Sequence, residues 1–244
     1  MVRQKIHEGK TKILFSYPDN ISYICQHFTD NITAFNNQKN SIINGKGTLC
    51  NQISAYLMQK ISTINIKTHF IKKLNMREQV IKRLKMFPFE IVVRNIAYGS
   101  LTKKLPIEDG LLLDKPLIEI FYKDDSKGDP LISEEHIYLA KLASQEQMEE
   151  IIDVSLRIND FLLGIFASAE IQLVDLKFEF GTDMNENIVL GDEISPDTLR
   201  LWNQNENEPI QILDKDCFRN DLSDVLSTYK TVAYKLNVLK KKIN

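Results

Sequence analysis

Residues Leu173 to Gly181 read Leu-Val-Asp-Leu-Lys-Phe-Glu-Phe-Gly, and this alternation constrains the fold more than any other stretch of the chain. Successive side chains of a β-strand take opposite faces. Asp175, Lys177 and Glu179 therefore share one face, while Leu176, Phe178 and Phe180 share the other. Such a strand needs a sheet with an apolar layer behind it, and its charged face either meets solvent or lines a site.

A second strand-like run, Ile188 to Glu193, follows the turn-rich Thr182 to Asn187. With Asn185-Glu186 as a two-residue hairpin turn, Glu179 falls directly opposite Asp192, although other registers are open. Like charges facing each other across a ladder destabilise it unless something compensates. A divalent cation would, since carboxylate oxygens are hard ligands and Mg²⁺ is commonly held by one or two carboxylates together with nucleotide phosphates. A solvated strand of alternating charge, with Lys177 neutralising its neighbours, fits the same pattern.

The rest of the composition narrows the class. With 244 residues, 43% hydrophobic and 26% charged, the chain has room for one large domain or two lobes and is a poor fit to disorder or a membrane-span composition. Its 31 basic and 33 acidic residues leave a formal charge of −2, which argues against a general grip on nucleic acid or an anionic membrane. The longest strongly apolar stretch, near Phe161 to Ala167, is too short to span a bilayer. Cys25, Cys50 and Cys217 are odd in number and far apart, so neither a disulfide framework nor a cysteine metal site is expected, and a reducing, cytoplasmic setting is. No glycines make a GxGxxG loop, and Gly9-Lys10-Thr11 lacks the glycine a Walker A loop needs where Gln4 stands.

Along the chain, Lys10 to Tyr17 and Ile21 to Phe28 flank Pro18-Asp19-Asn20 as a β-hairpin. Leu49, Ile53, Leu57 and Ile61 mark one face of a helix from Thr48, just after Gly45-Lys46-Gly47. Thr68 to Leu74 and Glu90 to Asn95 read as strands, the latter entered through Pro88. Pro106, Pro116, Pro130 and Asp-rich turns predict an irregular connection around one strand, Leu117 to Tyr122. Ser144-x-x-Gln147 is a capping box ahead of Met148, Ile151, Ile158, Leu162 and Ile165 at helical spacing. Phe218, Leu222, Leu226, Tyr229, Ala233 and Leu236 predict a last helix ending in Lys240-Lys241-Lys242, where cations suit the helix dipole.

Three further clusters could carry chemistry. Lys10 and Lys12 alternate onto one face beside Gly9, and two adjacent ammonium groups repel unless an anion such as a nucleotide phosphate lies between them. Arg94 presents a rigid donor fork ahead of Gly99-Ser100, an anion cup in outline. Gly191-Asp192-Glu193-Ile194-Ser195-Pro196-Asp197 is an acidic turn before Arg200, which a helix start capped by Ser195 would also explain. Each of the three also fits an ordinary surface strand or turn. His7, His27, His69 and His136 form no catalytic or ligand spacing and are read as structural or surface residues, and Trp202 as packing.

Taken together, Glu8-Gly9-Lys10-Thr11-Lys12, Val93-Arg94-Asn95 with Gly99-Ser100, Val174 to Gly181, Gly191 to Asp197 with Arg200-Leu201-Trp202, and Lys215-Asp216 with Arg219 resemble the SAICAR synthase (phosphoribosylaminoimidazole-succinocarboxamide synthase) family in order and spacing. The resemblance covers nearly the whole chain, no motif residue is replaced in a way that would disable catalysis, and Asn203 to Glu208 reads as an Asn-rich loop outside the motifs. It implies an α+β fold of two lobes, an N-terminal antiparallel sheet lobe with a helix (residues 1–85) and a larger mixed α/β lobe (86–244), around an ATP-grasp-like or kinase-like nucleotide cleft. It also implies an ATP-dependent ligase joining L-aspartate to the carboxylate of carboxyaminoimidazole ribonucleotide (CAIR), with Mg²⁺, in a cytoplasmic homodimer that binds neither nucleic acid nor membrane.

By that resemblance Lys177, Lys12 and Arg94 are the catalytic candidates, with Lys10 and Lys12 facing the ATP phosphates and Glu179 and Asp192 holding Mg²⁺. Lys82 to Met86 matches the family's hinge between the lobes, placing Lys82 and Met86 at the adenine. Arg94, Ser100, Asp175, Asp197, Arg200, Lys215, Asp216 and Arg219 are the substrate-binding candidates, with Asp175 and Asp197 for the aspartate amine. A small-molecule kinase with the same ATP site, and a nucleotide-binding protein without turnover, are the competing readings. The first needs no aspartate, and the second releases no ADP.

Overall fold

The structure, a computed structural model, describes residues 3–18, 20–35, 38–203 and 210–240. Its first sheet has the order β1-β2-β3-β7-β6, built from β1 (Lys5–Glu8), β2 (Lys12–Ser16), β3 (Tyr23–Phe28), β6 (Phe70–Lys73) and β7 (Glu78–Lys82). A small hairpin of β4 (Asn31–Ala34) and β5 (Lys39–Ile42) leads into α1 (Lys46–Ser62). The second sheet runs β10-β9-β8-β11-β12 through β8 (Lys85–Ile96), β9 (Leu112–Tyr122), β10 (Leu131–Ile132), β11 (Ile171–Thr182) and β12 (Ile188–Leu190), with β13 (Leu199–Asn203) also paired to β11. The remaining helices are α2 (Ser100–Lys104), α3 (Glu134–Leu139), α4 (Gln145–Ser168), α5 (Asp216–Arg219) and α6 (Val225–Lys235).

Both sheets are antiparallel, as the α+β reading requires. Helix α1 packs against β3, β6 and β7 and also against α6, while α4 covers β8, β11 and β12. A continuous apolar cluster runs from Phe28 and Ile53 through Phe178 and Phe180 to Leu162 and Phe166. The alternation of β11 is realised as expected: Leu176, Phe178 and Phe180 are buried in that core. Ser144 caps α4 with the reciprocal Gln147 bonds of a capping box. Residues Lys12 to Phe28 form the expected hairpin as β2 and β3, whose connection includes Asp19, outside the described residues.

Several expectations change. Strand β12 pairs with Phe180 opposite Leu190, one residue off the expected register, so Gly191 rather than Asp192 follows on beside Glu179 and donates its N–H to the Glu179 carbonyl at 2.8 Å. The cause is the connection: the Asp183 carboxylate accepts from the Asn185 and Asn187 N–H groups, which makes a longer Asx-type loop with Glu186 at φ 61° in place of a two-residue turn. Across β8, the residue directly opposite Glu179 is Glu90.

The predicted strands at Glu90 to Asn95 and Leu117 to Tyr122 are the central parts of the longer β8 and β9. The last helix is two helices, because Asp224 caps a fresh start by accepting from Ser227 N–H, and this leaves Phe218 on α5 and Leu222 exposed between them. Ser195 caps no helix: its hydroxyl accepts from Asp197 N–H in a turn that runs straight into β13. Most of Asn203 to Glu208, and Lys241 and Lys242 of the lysine run, lie outside the described residues.

Candidate active-site cleft

Residues from both sheets line a cleft of about 550 Å³. Ile24, Ile81, Leu84 and Met86 give it an apolar wall next to the Lys82 to Met86 connection between β7 and β8. Met86 is seated against two glycines: a Cβ on Gly181 would lie 2.8 Å from the Lys85 carbonyl and 3.0 Å from Met86 Sδ, and one on Gly191 2.9 Å from Met86 Cε. Glycine at both positions lets the connection lie flat on β11 and β12.

The charged lining is an interleaved set. Lys12 bonds Asp192 and, at 2.7 Å, Glu193. Lys123 bonds Glu179, and Lys177 Nζ lies 2.8 Å from Glu90 and 3.6 Å from Glu179. Lys10 bonds Asp125 at 2.6 Å. Lys10 sits in the turn ahead of β2, where Gly9 N–H donates to the Lys12 carbonyl, so the two lysines do not share a strand face as expected. Their repulsion is relieved by separate acids, each beyond β8 in the chain, and needs no anion between them.

These pairings set the protonation states. Burial works against ionisation of Asp192, but the ammonium groups of Lys12 and Lys177 outweigh it and hold its carboxyl well below the ordinary value. Lys12 and Lys177 are raised against the same burial penalty, Lys12 by Asp192 and Glu193 and Lys177 by Glu90 and Glu179. Glu90 is pushed up, chiefly by burial, although Lys177 pulls it down. At neutral pH Lys12 and Lys177 are therefore cationic and Asp192 is anionic. Glu90, Glu179, Asp192 and Glu193 all line the cleft, and carboxylate oxygens are the hard donors that suit Mg²⁺, although the cluster of three possible ligands found among the described residues is Cys50, Glu193 and Asp197.

A second network occupies the next stretch of the same strand face. Arg94 donates to Glu119 at 2.5 Å, to Asp175 at 2.8 Å and to the Ser100 hydroxyl at 2.9 Å. Arg200 donates to the same Asp175 oxygen at 2.8 Å and to Asp216 at 2.7 Å, and Arg219 also bonds Asp216. The Arg200 guanidinium lies 5.8 Å over the Tyr98 ring and close to Gly99, where a Cβ would meet it at 3.1 Å. Arg94, Ser100, Asp175, Arg200, Asp216 and Arg219 are thus one network, joined to the cleft through the two-residue step from Asp175 to Lys177 on β11. Trp202 packs with Ile96 and Val174, edge-on to Tyr98.

Lys215 and Asp197 belong to the cleft instead. Asp197 is held by the buried Lys46 and by the Tyr229 hydroxyl at 2.6 Å, and Lys46, Lys215 and that hydroxyl together outweigh burial and bring its carboxyl down to about 2. Sequence reasoning overlooked Lys46, Glu90, Lys123 and Glu193, and it set His69 aside although that ring lines the cleft. Only Lys46, between two glycines, and Glu193, inside a motif already noted, carried any local signal.

Comparison with known proteins agrees with this geometry. Residues 5–236 match the family model described as SAICAR synthetase. The phosphoribosylaminoimidazole-succinocarboxamide synthase of Neorickettsia sennetsu is 50% identical over 97% of each chain. Among solved structures, the phosphoribosylaminoimidazole-succinocarboxamide synthase of Ehrlichia chaffeensis superposes with a TM-score of 0.93 at 45% identity, covering 98% of this chain and 100% of its own. A type-2 SAICAR synthetase in complex with ADP reaches 0.91 at 37% identity, over 97% and 99%. A family match over almost the full length, on a fold that gathers the lysines and acids of the motifs into one cleft, places the chain in the SAICAR synthetase family.

Proposed function

We propose that the cleft and the arginine network together carry out an ATP-dependent ligation, with ATP in the cleft and the acid substrates between the cleft and the network. The reaction joins L-aspartate to the carboxylate of CAIR to give SAICAR, ADP and phosphate, within purine biosynthesis. A carboxylate is a poor electrophile because its charge repels the amine and its oxygen leaves badly. Transfer of the γ-phosphoryl group to that carboxylate gives an acyl phosphate, and attack of the aspartate amine on its carbonyl carbon forms the amide and expels phosphate. The observation that carries this reading is the convergence of Lys12, Lys123 and Lys177 with Glu179 and Asp192 beside the apolar wall of one cleft.

In this assignment Lys10 and Lys12 receive the ATP phosphates, Lys177 steadies the transferring charge, and the Lys82 to Met86 connection meets the base. Glu179 and Asp192 would hold Mg²⁺, which when bound supplies neutralisation of charge on the phosphoryl oxygens. Arg94, Ser100, Arg200 and Arg219 hold the phosphate and carboxylates of the substrates, with Lys215 at the border. Asp175 ties the two arginines together, since both donate to one of its oxygens. The lobes divide near residue 85, because the first sheet draws only on residues up to Lys82 and the second begins at Lys85. A cytoplasmic homodimer completes the proposal, supported by three free cysteines and by the family resemblance; among the described residues no helix is long and apolar enough to cross a membrane.

The test is ADP release by the purified protein with Mg-ATP, adding L-aspartate and CAIR singly and together, with light scattering for the oligomer. Release only with both, with a succinocarboxamide product, is the expected result. Release with one acceptor and no need for aspartate would replace the ligase by a kinase, and ATP binding without release under any combination would replace it by a binding protein.

A further inference from the structure

Asp214 is 0% exposed and lies in the segment that leads from β13 back into α5. That segment begins as a short antiparallel partner of β13. Asn203 N–H donates to the Gln211 carbonyl at 3.0 Å and Leu213 N–H to the Leu201 carbonyl at 2.7 Å, with Trp202 opposite Ile212 between them. Facing residues of a hydrogen-bonded antiparallel pair exchange both N–H···O bonds. Here Leu201 N–H donates instead to the Asp214 carboxylate at 2.7 Å, which takes the place of the Leu213 carbonyl. The other carboxylate oxygen accepts from Asp216 N–H, also at 2.7 Å.

Both amides belong to the arginine network. Leu201 N–H is part of the peptide that follows Arg200, and Asp216 carries the carboxylate to which Arg200 Nε donates at 2.7 Å and Arg219 also bonds. Between Asp214 and Asp216 stands Lys215, which lines the cleft and donates its N–H to the Pro196 carbonyl at 3.1 Å. One side chain thus fixes the backbone at both ends of the Arg200–Asp216 pair and the turn that brings Lys215 to the border of the cleft. Among the described residues no cation forms an ion pair with Asp214, since Arg200 is committed to Asp175 and Asp216, and Arg219 to Asp216. A buried carboxylate without a cation is costly, but its bonds to the two amides are charge-assisted and stronger than a neutral acceptor would make.

We propose that Asp214 is a positioning residue for the acid substrates, its carboxylate clamping the Leu201 and Asp216 amides so that Arg200, Lys215 and Asp216 stand ready to receive them. The clamp spends its strength before substrate arrives, which is where positioning helps binding most, because arginine and lysine side chains otherwise lose rotamer freedom when they close on a ligand. It acts at the network end of the site and leaves the nucleotide end, lined by Lys12, Lys177 and the Lys82 to Met86 connection, untouched. This role rests on the reading of the network as the acid-substrate site.

The experiment measures kcat and KM for ATP, L-aspartate and CAIR, and calorimetric binding of ADP, in the wild-type protein and Asp214→Asn. The asparagine keeps the shape but offers one oxygen, and its NH₂ opposes the second amide N–H. KM for CAIR and L-aspartate is expected to rise roughly tenfold or more, with KM for ATP and ADP binding unchanged. Made in Arg200→Lys, the same change should add little, since it acts through that arginine, and full additivity overturns the proposal. Wild-type constants in Asp214→Asn overturn it, and so does a fall in kcat with every KM unchanged, which is what a purely structural residue would give. Hydrogen exchange in the wild-type protein needs no variant to fold. The Leu201 and Asp216 amides should be protected before any substrate is added, and fast exchange that only CAIR and L-aspartate suppress overturns the clamp. A wild-type protein that binds ADP yet releases none from Mg-ATP with both acids present overturns the ligase reading, and this role with it.

Discussion

Glu90 stands directly opposite Glu179 across the β8–β11 ladder, a like-charge pair at the floor of the cleft with the Lys177 ammonium reaching both. Facing acids on adjacent strands destabilise a sheet unless cations compensate, and here Lys177 and Lys123 provide the compensation. In the proposed assignment a divalent cation and phosphates would take Glu179 and leave Lys177 on Glu90, which would make Glu90 a positioning residue for that lysine.

Glu90→Gln is therefore expected to lower kcat by roughly 10- to 100-fold. It also removes the largest influence raising Lys177 against burial, so the lysine loses its proton at lower pH and the alkaline limb of the kcat–pH profile moves down. A merely structural role would leave that limb in place.

Glu179→Gln should reduce turnover by roughly 100-fold or more and increase the Mg²⁺ concentration needed for half-maximal rate, because neutralisation of the phosphoryl oxygens depends on it. Titration of activity against Mg²⁺ at saturating ATP reads both effects. Turnover close to wild type would remove Glu179 from the metal. Lys10→Ala, at an exposed lysine that bonds Asp125, should act mainly on KM for ATP.

Lys46 is 1% exposed and its ammonium is shared between Asp197 and the Asn31 carbonyl at 3.0 Å. Replacing it with Met leaves a buried carboxylate without its cation, at an expected cost of about 3–5 kcal/mol. Tyr229→Phe removes one hydrogen bond to the same carboxylate, at about 1–3 kcal/mol. Because both act through Asp197, urea denaturation of the double variant should give less than the sum of the two losses.

Asp30 ties β3 to the start of α1, accepting from Gly47 N–H at 2.9 Å and from both terminal nitrogens of Arg77 at 2.7 Å. Burial opposes ionisation, yet Arg77 and the Gly45 and Gly47 amides bring its carboxyl to about 2, from an ordinary 3.8. A folded value below the unfolded one means that its contribution, about 2 kcal/mol, is fully present above about pH 4 and is lost as pH falls through about 2. Asp30→Asn should lose that amount at pH 7 and almost none near pH 2, as read by denaturant midpoints across pH. Gly47→Ala should fail more severely, since its Cβ would meet the carbonyls of Phe28 and Thr29 at 2.5 and 2.6 Å.

Much of the architecture was legible because it is decided within a few residues. The two-fold alternation of Leu173 to Phe180 produced β11 with its apolar face buried, and the Ser144–Gln147 capping box opened α4 where expected. The motif residues of the candidate site could also be named, because each lies in a short run of unusual chemistry. Loop chemistry was less legible: the Asp183 side chain competes for the turn amides and moves the following strand by one register position, and Asp224 starts a helix that periodicity alone runs together with the one before.

By itself, then, the sequence determined the longer elements, such as β2, β3, α1, β11 and α4, the apolar face of each, and which lysines, arginines and acids are available for chemistry, since periodicity and capping act over one or two turns of backbone. Only the tertiary structure decided the pairings. Glu179 meets Glu90 instead of Asp192, Lys12 takes both Asp192 and Glu193, and Lys46 finds Asp197, because each contact joins strands or turns from distant parts of the chain. Charge pairing falls steeply with distance and dielectric, so the partner of a buried ion is set by which backbones the fold brings within a few ångströms, and local pattern carries no record of that.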